Sequence, residues 1–130
     1  MQNVLVIDDE KMISDMLQIA LTQFGYSVET APGGKEGLQK YETGDFNLVI
    51  TDIRMPDTDG NDVVRHIRNS DKPHTPVIGM SGTPWLLDGD GFDCTLSKPF
   101  GIKTLISTVN ELTSNHKNSD QKIIPSNNPL

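Results

Sequence analysis

Val4-Leu5-Val6-Ile7-Asp8-Asp9 and Leu48-Val49-Ile50-Thr51-Asp52 are the two stretches on which the reading of this chain turns. Each is a short, β-branched apolar run that stops on a carboxylate, and a run of this length reads as a buried strand. A shorter run, Thr95-Leu96, leads into Lys98. If the three runs are parallel strands of one sheet, their carboxyl ends share an edge, and Asp8, Asp9, Asp52 and Lys98 converge there. Ligands of open α/β sheets bind at that edge. Two carboxylates about 4 Å apart repel by roughly 4 kcal/mol at an effective dielectric near 20. Three together therefore call for a metal ion.

Outward from these runs, apolar strands alternate with amphipathic stretches, the pattern of an α/β protein whose parallel sheet is covered on both faces. Ile13, Met16, Leu17, Ala20, Leu21 and Phe24 recur at helical spacing, and Gly25 stands where that helix should end. Ser27 to Ala31 reads as a second strand and Lys35 to Tyr41 as a weaker helix, because Gly33, Gly34 and Gly37 lower its propensity. Phe46 to Thr51 is the third strand, continuous enough in apolar character to be buried on both faces. After the turn-rich Met55-Pro56-Asp57-Thr58-Asp59-Gly60, Val63, Val64 and Ile67 mark a third helix. Pro76 to Met80 and Asp93 to Leu96 are strands four and five, and Ile102, Leu105, Ile106, Val109 and Leu112 line one face of a last helix. The composition then turns polar. Residues 1–113 read as the folded domain and 114–130 as a disordered tail or linker.

A chain of 130 residues fits one domain with a real core, and a net charge of −7 argues against direct nucleic-acid binding by this segment. The single cysteine, Cys94, excludes an internal disulfide framework, fits a reducing compartment and reads as a small buried apolar side chain. No apolar run approaches the roughly 18 residues of a membrane span, and no signal-peptide layout precedes the first strand, so a cytoplasmic location is expected. His66, His74 and His116 are scattered without metal spacing and read as surface residues.

Asp8-Asp9 after strand one, Asp52 after strand three, Met55-Pro56 with Asp59-Gly60, Ser81 after strand four and Lys98-Pro99-Phe100 after strand five together resemble the receiver domain of two-component response regulators. The likeness runs from about Asn3 to about Leu112. It implies a flavodoxin-like three-layer sandwich with strand order 2-1-3-4-5. It also implies that Asp52 accepts a phosphoryl group from a phosphohistidine on a sensor histidine kinase or histidine phosphotransfer protein. Mg²⁺, or Mn²⁺, would be held by Asp9, Asp52 and the backbone carbonyl of Arg54, with Asp8 holding a metal-bound water. Chemistry agrees with that choice, because a carboxylate nucleophile attacking phosphorus needs its own charge offset and the transferring oxygens clamped by cations. Lys98 would supply the second positive charge, aimed by a cis Lys98–Pro99 bond, and the Ser81 hydroxyl would move toward the phosphoryl group to start a conformational switch. Such a domain is a phosphoacceptor with at most self-phosphorylation and self-dephosphorylation. Its partners would be the phosphodonor, a downstream protein or effector domain, and a phosphorylation-dependent second copy.

Two features depart from that pattern. Receivers usually place Phe or Tyr three residues before the lysine, and Thr95 stands there. Only 16 residues separate Ser81 from Lys98, and they include Pro84, Gly89 and Gly91, so a fourth helix is expected to be one or two turns around Pro84 to Leu87, or missing. Trp85, in this short segment, reads either as packing against the sheet or as a partner-facing anchor. Arg54 and Thr83, each two residues past a site residue, are expected to flank the entrance and tune the lifetime of an acyl phosphate. Rival readings are a haloacid-dehalogenase-like phosphotransferase, a flavin or nucleotide binder, and a degenerate receiver that binds partners independently of phosphate. Arg54 stands where the first would need a second Asp, and Asp8-Asp9-Glu10 would repel the anion of the second.

Overall fold

The apolar runs form five parallel strands in order β2-β1-β3-β4-β5. They are β1 (Asn3–Ile7), β2 (Ser27–Ala31), β3 (Leu48–Asp52), β4 (Val77–Ser81) and β5 (Cys94–Ser97). The helices are α1 (Lys11–Gln23), α2 (Gly34–Thr43), α3 (Gly60–Arg68) and α4 (Ile102–Lys117). The structure, a computed structural model, describes residues 2–82 and 91–117, with side chains through Ser114. The expected short or missing helix around Pro84 to Leu87, with Thr83 and Trp85, lies outside the described residues. The last helix continues past Thr113 to Lys117, and the rest of the expected tail also lies outside them.

Alternation along the strands sorts the core into two layers, because successive side chains of a strand point to opposite faces. Val4, Val6, Leu48, Ile50, Ile78 and Met80 pack with Leu17 and Leu21 of α1 and Leu105, Ile106 and Val109 of α4. On the other face, Leu5, Ile7, Val49 and Val77 pack with Tyr41 of α2 and Val63, Val64 and Ile67 of α3. Every residue of β3 and β4 is buried, as the uninterrupted apolar reading of the third strand required. The glycines that weakened the expectation for α2 have a packing reason. A Cβ on Gly37 would come within 2.5 Å of Ile7 Cδ1, so glycine lets α2 lie directly against β1.

Register then fixes the site. Ile7 pairs with Thr51 across β1 and β3, Asp52 with Met80 across β3 and β4, and Ser81 with Ser97 across β4 and β5. One step beyond these pairs lie Asp8 and Lys98, so Asp8, Asp52, Ser81 and Lys98 reach the same edge.

The return from β4 to β5 is anchored by Arg68 at the end of α3. Its guanidinium donates to the carbonyls of Pro73 (2.8 Å), Thr75 (2.7 Å) and Gly91 (3.0 Å) and pairs with Asp93 Oδ2 at 2.8 Å. The same Asp93 oxygen accepts from Val77 N–H at 2.8 Å, tying the entries of β4 and β5 together. Arg68→Ala is expected to cost about 2 kcal/mol, because half-buried carbonyls lose their donors. Urea unfolding with an unchanged slope and a lowered midpoint would record it, and an unchanged midpoint would refute it.

Candidate functional site

Two of the three expected acids, Asp8 and Asp52, meet the lysine, and Glu10 joins them in place of Asp9. Lys98 Nζ lies 3.3 Å from Asp52 Oδ1, 3.6 Å from Asp8 Oδ2 and 3.4 Å from Glu10 Oε1. Its backbone N–H donates to the Ser81 carbonyl at 2.8 Å, which joins the ends of β4 and β5, and the Lys98–Pro99 bond is cis. Asp8 and Ser81 are buried at 1% and 3% exposure. Backbone amides complete the frame: Glu10 N–H donates to Asp8 Oδ1 and Ile53 N–H to Asp52 Oδ1, both at 2.9 Å.

The electrostatics follow from burial. Desolvation pushes the Asp8 carboxyl up to about 6, against the opposing pull of the Glu10 amide and the Lys98 charge, and the Asp52 charge adds to the rise. Asp52 is raised for the same first reason, with Lys98 and the Ile53 amide opposing and the Asp9 charge adding. Burial works against the Lys98 ammonium, yet the Asp8 and Asp52 carboxylates outweigh it and raise Lys98 above the ordinary lysine value.

The structure differs from expectation in which acids converge most closely. Among the described residues, carboxylate oxygens of Asp8, Glu10 and Asp52 all lie within 4.8 Å of one another. Asp9 is exposed beside them and acts on Asp52 through its charge. The sequence reading passed over Glu10, although a third acid in succession at a strand's carboxyl end was the available signal. One further observation bears on a ligand: Asp8 Oδ2 is buried with no hydrogen-bond partner. Among the described residues its one counter-charge is Lys98 Nζ at 3.6 Å, beyond hydrogen-bond length; a buried oxygen without a hydrogen bond is costly, and a hard cation that prefers oxygen ligands removes that cost. The donor set fits Mg²⁺ or Mn²⁺.

Arg54 is exposed just past Asp52, and Thr95 is exposed on β5 in register with Gly79. Thr95 thus leaves no buried aromatic at that position. His66 pairs with Glu42 at 2.9 Å, and neither belongs to the acid cluster. Among the described residues no helix is long and apolar enough to cross a membrane.

Comparison with known proteins agrees with this geometry. A family model described as the response regulator receiver domain matches residues 4–110. The chain is 30% identical over 114 residues to the transcriptional regulatory protein TrcR of Mycobacterium tuberculosis, covering 84% of this chain and 44% of that protein. It is 32% identical to the probable transcriptional regulator ycf27 of Cyanidium caldarium, covering 97% of this chain and 52% of that protein. The chain therefore spans about half the length of these curated relatives. Among solved structures, the chemotaxis response regulator CheY4 of Vibrio cholerae superposes with a TM-score of 0.81 at 31% identity, covering 86% of this chain and 98% of that one. The response regulator TrrA of Thermotoga maritima, solved in complex with Mg²⁺ and BeF, gives 0.80 at 33% identity, covering 86% and 99%. With its fold, its acid–lysine edge and a family match over most of its length in agreement, this chain belongs to the response regulator receiver domain family, the signalling domain of two-component systems.

Proposed function

We propose that Asp52 accepts a phosphoryl group from a phosphohistidine on a sensor kinase or phosphotransfer protein, in a divalent-cation-dependent reaction, and that the modified domain switches its binding to a partner. The observation carrying this reading is the Asp52 carboxylate, buried at the sheet edge, 3.3 Å from Lys98 and beside an Asp8 oxygen that accepts no hydrogen bond. In the transfer, an Asp52 oxygen attacks phosphorus, the phosphorus–nitrogen bond of the donor breaks, and an acyl–oxygen–phosphorus bond forms. Asp52 Oδ1 is engaged by the Ile53 amide and Lys98, which leaves Oδ2 as the attacking oxygen. Lys98 then follows the negative charge outward to a phosphoryl oxygen.

Asp8, Asp9, Asp52 and the carbonyl of Arg54 would hold Mg²⁺, or Mn²⁺, with Glu10 adding a further carboxylate. Bound there, the cation supplies charge neutralisation for the transferring oxygens. Ser81, whose carbonyl accepts from Lys98 N–H, would sense the new group with its hydroxyl and pass the change into β4 and β5. Arg54 and Thr83 would govern water access to the acyl phosphate, and Trp85 belongs with Ser81 and Thr95 to the switch and output segment. We assign residues 1–113 to the receiver unit, with α4 carrying it on to Lys117, and place it in the cytoplasm with its phosphodonor. A downstream effector, as a domain or separate protein, or a second copy of the chain would read the switch.

Acetyl phosphate with Mg²⁺ should add one phosphoryl group, traceable to the peptide holding Asp52, and chelation should prevent it. A label on another residue, or none, would refute the assignment. The exposed Thr95, at the position where the receiver pattern calls for an aromatic, favours a second reading in which partner binding ignores phosphate. Equal oligomeric state and partner binding with and without beryllofluoride and Mg²⁺ would select it.

A further inference from the structure

Asp57 lies at the tip of the loop between β3 and α3, and its carboxylate is spent on a helix far away in sequence. Oδ1 accepts from Gly34 N–H at 3.2 Å and Oδ2 from Lys35 N–H at 3.1 Å, both in the first turn of α2. Thr58 N–H also donates to Oδ1, at 2.7 Å. α2 has no side-chain cap of its own, because its N-cap position is Gly33. The cap comes instead from the loop that follows Asp52. These three amides, that of Lys35 first, hold the Asp57 carboxyl below the usual carboxylate range.

The contact depends on missing side chains as much as on the carboxylate. A Cβ on Gly34 would lie 2.6 Å from Thr58 Cβ and 2.8 Å from the Thr58 carbonyl, and one on Gly33 would lie 2.9 Å from Asp57 Oδ2. At its base the loop is closed by Gly60 N–H donating to the Ile53 carbonyl at 2.8 Å. Arg54, Met55 and Pro56 therefore run between two anchors, one beside Asp52 and one on α2. An isolated turn would swing about its base; this one is held at both ends.

We infer that Asp57 is a positioning residue for the phosphorylation site: by clamping the β3–α3 loop to the start of α2, it fixes the Arg54 backbone beside Asp52 for cation binding and for control of the acyl phosphate. This inference rests on the phosphoryl-transfer reading above. Asp57 takes no part in bond making. Its effect passes through the loop, so disturbing either side of the clamp should have one outcome.

The test compares wild-type, Asp57→Ala, Asp57→Asn and Gly34→Ala protein, measuring Mg²⁺ affinity calorimetrically, the Arg54 and Met55 amide resonances, and the decay of the phosphorylated form. Asp57→Ala should weaken Mg²⁺ at least fivefold, move both resonances and change the decay rate at least threefold. Asp57→Asn keeps one acceptor oxygen for Gly34 and Thr58, should stay folded and should fall between. Gly34→Ala leaves the Asp57 charge in place, so an effect matching Asp57→Ala separates loop position from simple loss of an acidic group. Mg²⁺ affinity within twofold of wild type in all three variants, whatever their melting temperatures, would reduce Asp57 to a helix cap and overturn the inference. Wild-type protein that neither binds Mg²⁺ nor takes up acetyl phosphate would instead overturn the phosphoryl-transfer reading, and this inference with it.

Discussion

Lys98→Met should lower the melting temperature of the metal-free protein by roughly 10 °C at pH 7 and slow phosphorylation by acetyl phosphate about a hundredfold or more. Both effects have one cause. Among the described residues Lys98 Nζ is the cation within 4 Å of Asp8, Glu10 and Asp52 together, and its side chain is only 20% exposed. Removing one partner of a buried ion pair leaves the other charge uncompensated, a change worth about 3–5 kcal/mol when burial is complete. With Lys98 partly exposed, about 2–4 kcal/mol is expected here. Methionine keeps much of the aliphatic stem, so lost packing contributes little. The loss should shrink toward pH 5, where Asp8 takes up a proton and has less need of a counter-charge. For the proposed transfer, the missing ammonium would be the preorganised charge that offsets the phosphoryl oxygens. Lys98→Arg should recover more stability than rate, because the guanidinium restores charge but not the compact ammonium geometry. A Lys98→Met protein with unaltered melting and unaltered labelling would refute the account of the cluster.

Asp8→Asn should do the opposite to stability while abolishing the response to Mg²⁺. Asp8 is 1% exposed, and its carboxyl is raised from 3.8 to about 6 in the fold. The unfolded chain therefore ionises first as pH rises. Stability contributed by this group is complete below about 4, falls between about 4 and about 6, and stays lost above that range in the absence of metal. The interval corresponds to up to roughly 3 kcal/mol. Asparagine has nearly the same shape and no charge, so Asp8→Asn should raise the melting temperature of chelated protein at pH 7 by several degrees and flatten its pH dependence. Mg²⁺ should stabilise the wild type more at pH 7 than at pH 5 and should scarcely stabilise the variant. A variant that melts lower than wild type at pH 7 in chelator would show that Asp8 is held in place by favourable contacts rather than strained by burial.

These expected shifts in opposite directions describe a site that relinquishes stability for function. Three acids are drawn to one edge because parallel strands in register deliver them there, and among the described residues one lysine, Lys98, offsets them incompletely. A receiver needs this imbalance, since a divalent cation binds strongly only where negative charge has been left without a partner, and that cation then offsets the incoming anion.

Much of this was legible in the residues themselves. Val4 to Ile7 and Leu48 to Asp52 are too short and too β-branched to be anything but buried strands. A parallel pair ending on carboxylates has one sheet edge to send them to. The period-2 and helical spacings likewise assigned α1, α3 and α4, because each carries an apolar face that only a sheet can cover. What sequence left open depends on contacts between segments distant along the chain. Gly33, Gly34 and Gly37 weigh against a helix by local propensity, and only the approach of Asp57, Thr58 and Ile7, respectively, explains why glycine is required. Glu10 looks like a surface acid until Lys98, from the far end of the domain, reaches it at 3.4 Å. Asp57 reads as a turn residue until α2, lacking a cap, is found against it. The sequence by itself determined the strands and the edge at which Asp8, Asp52 and Lys98 gather, because alternation and strand ends are local properties. The tertiary structure decided which acids meet, which loop is clamped and which carboxyl is forced upward, because burial and partnership exist only once the chain has closed.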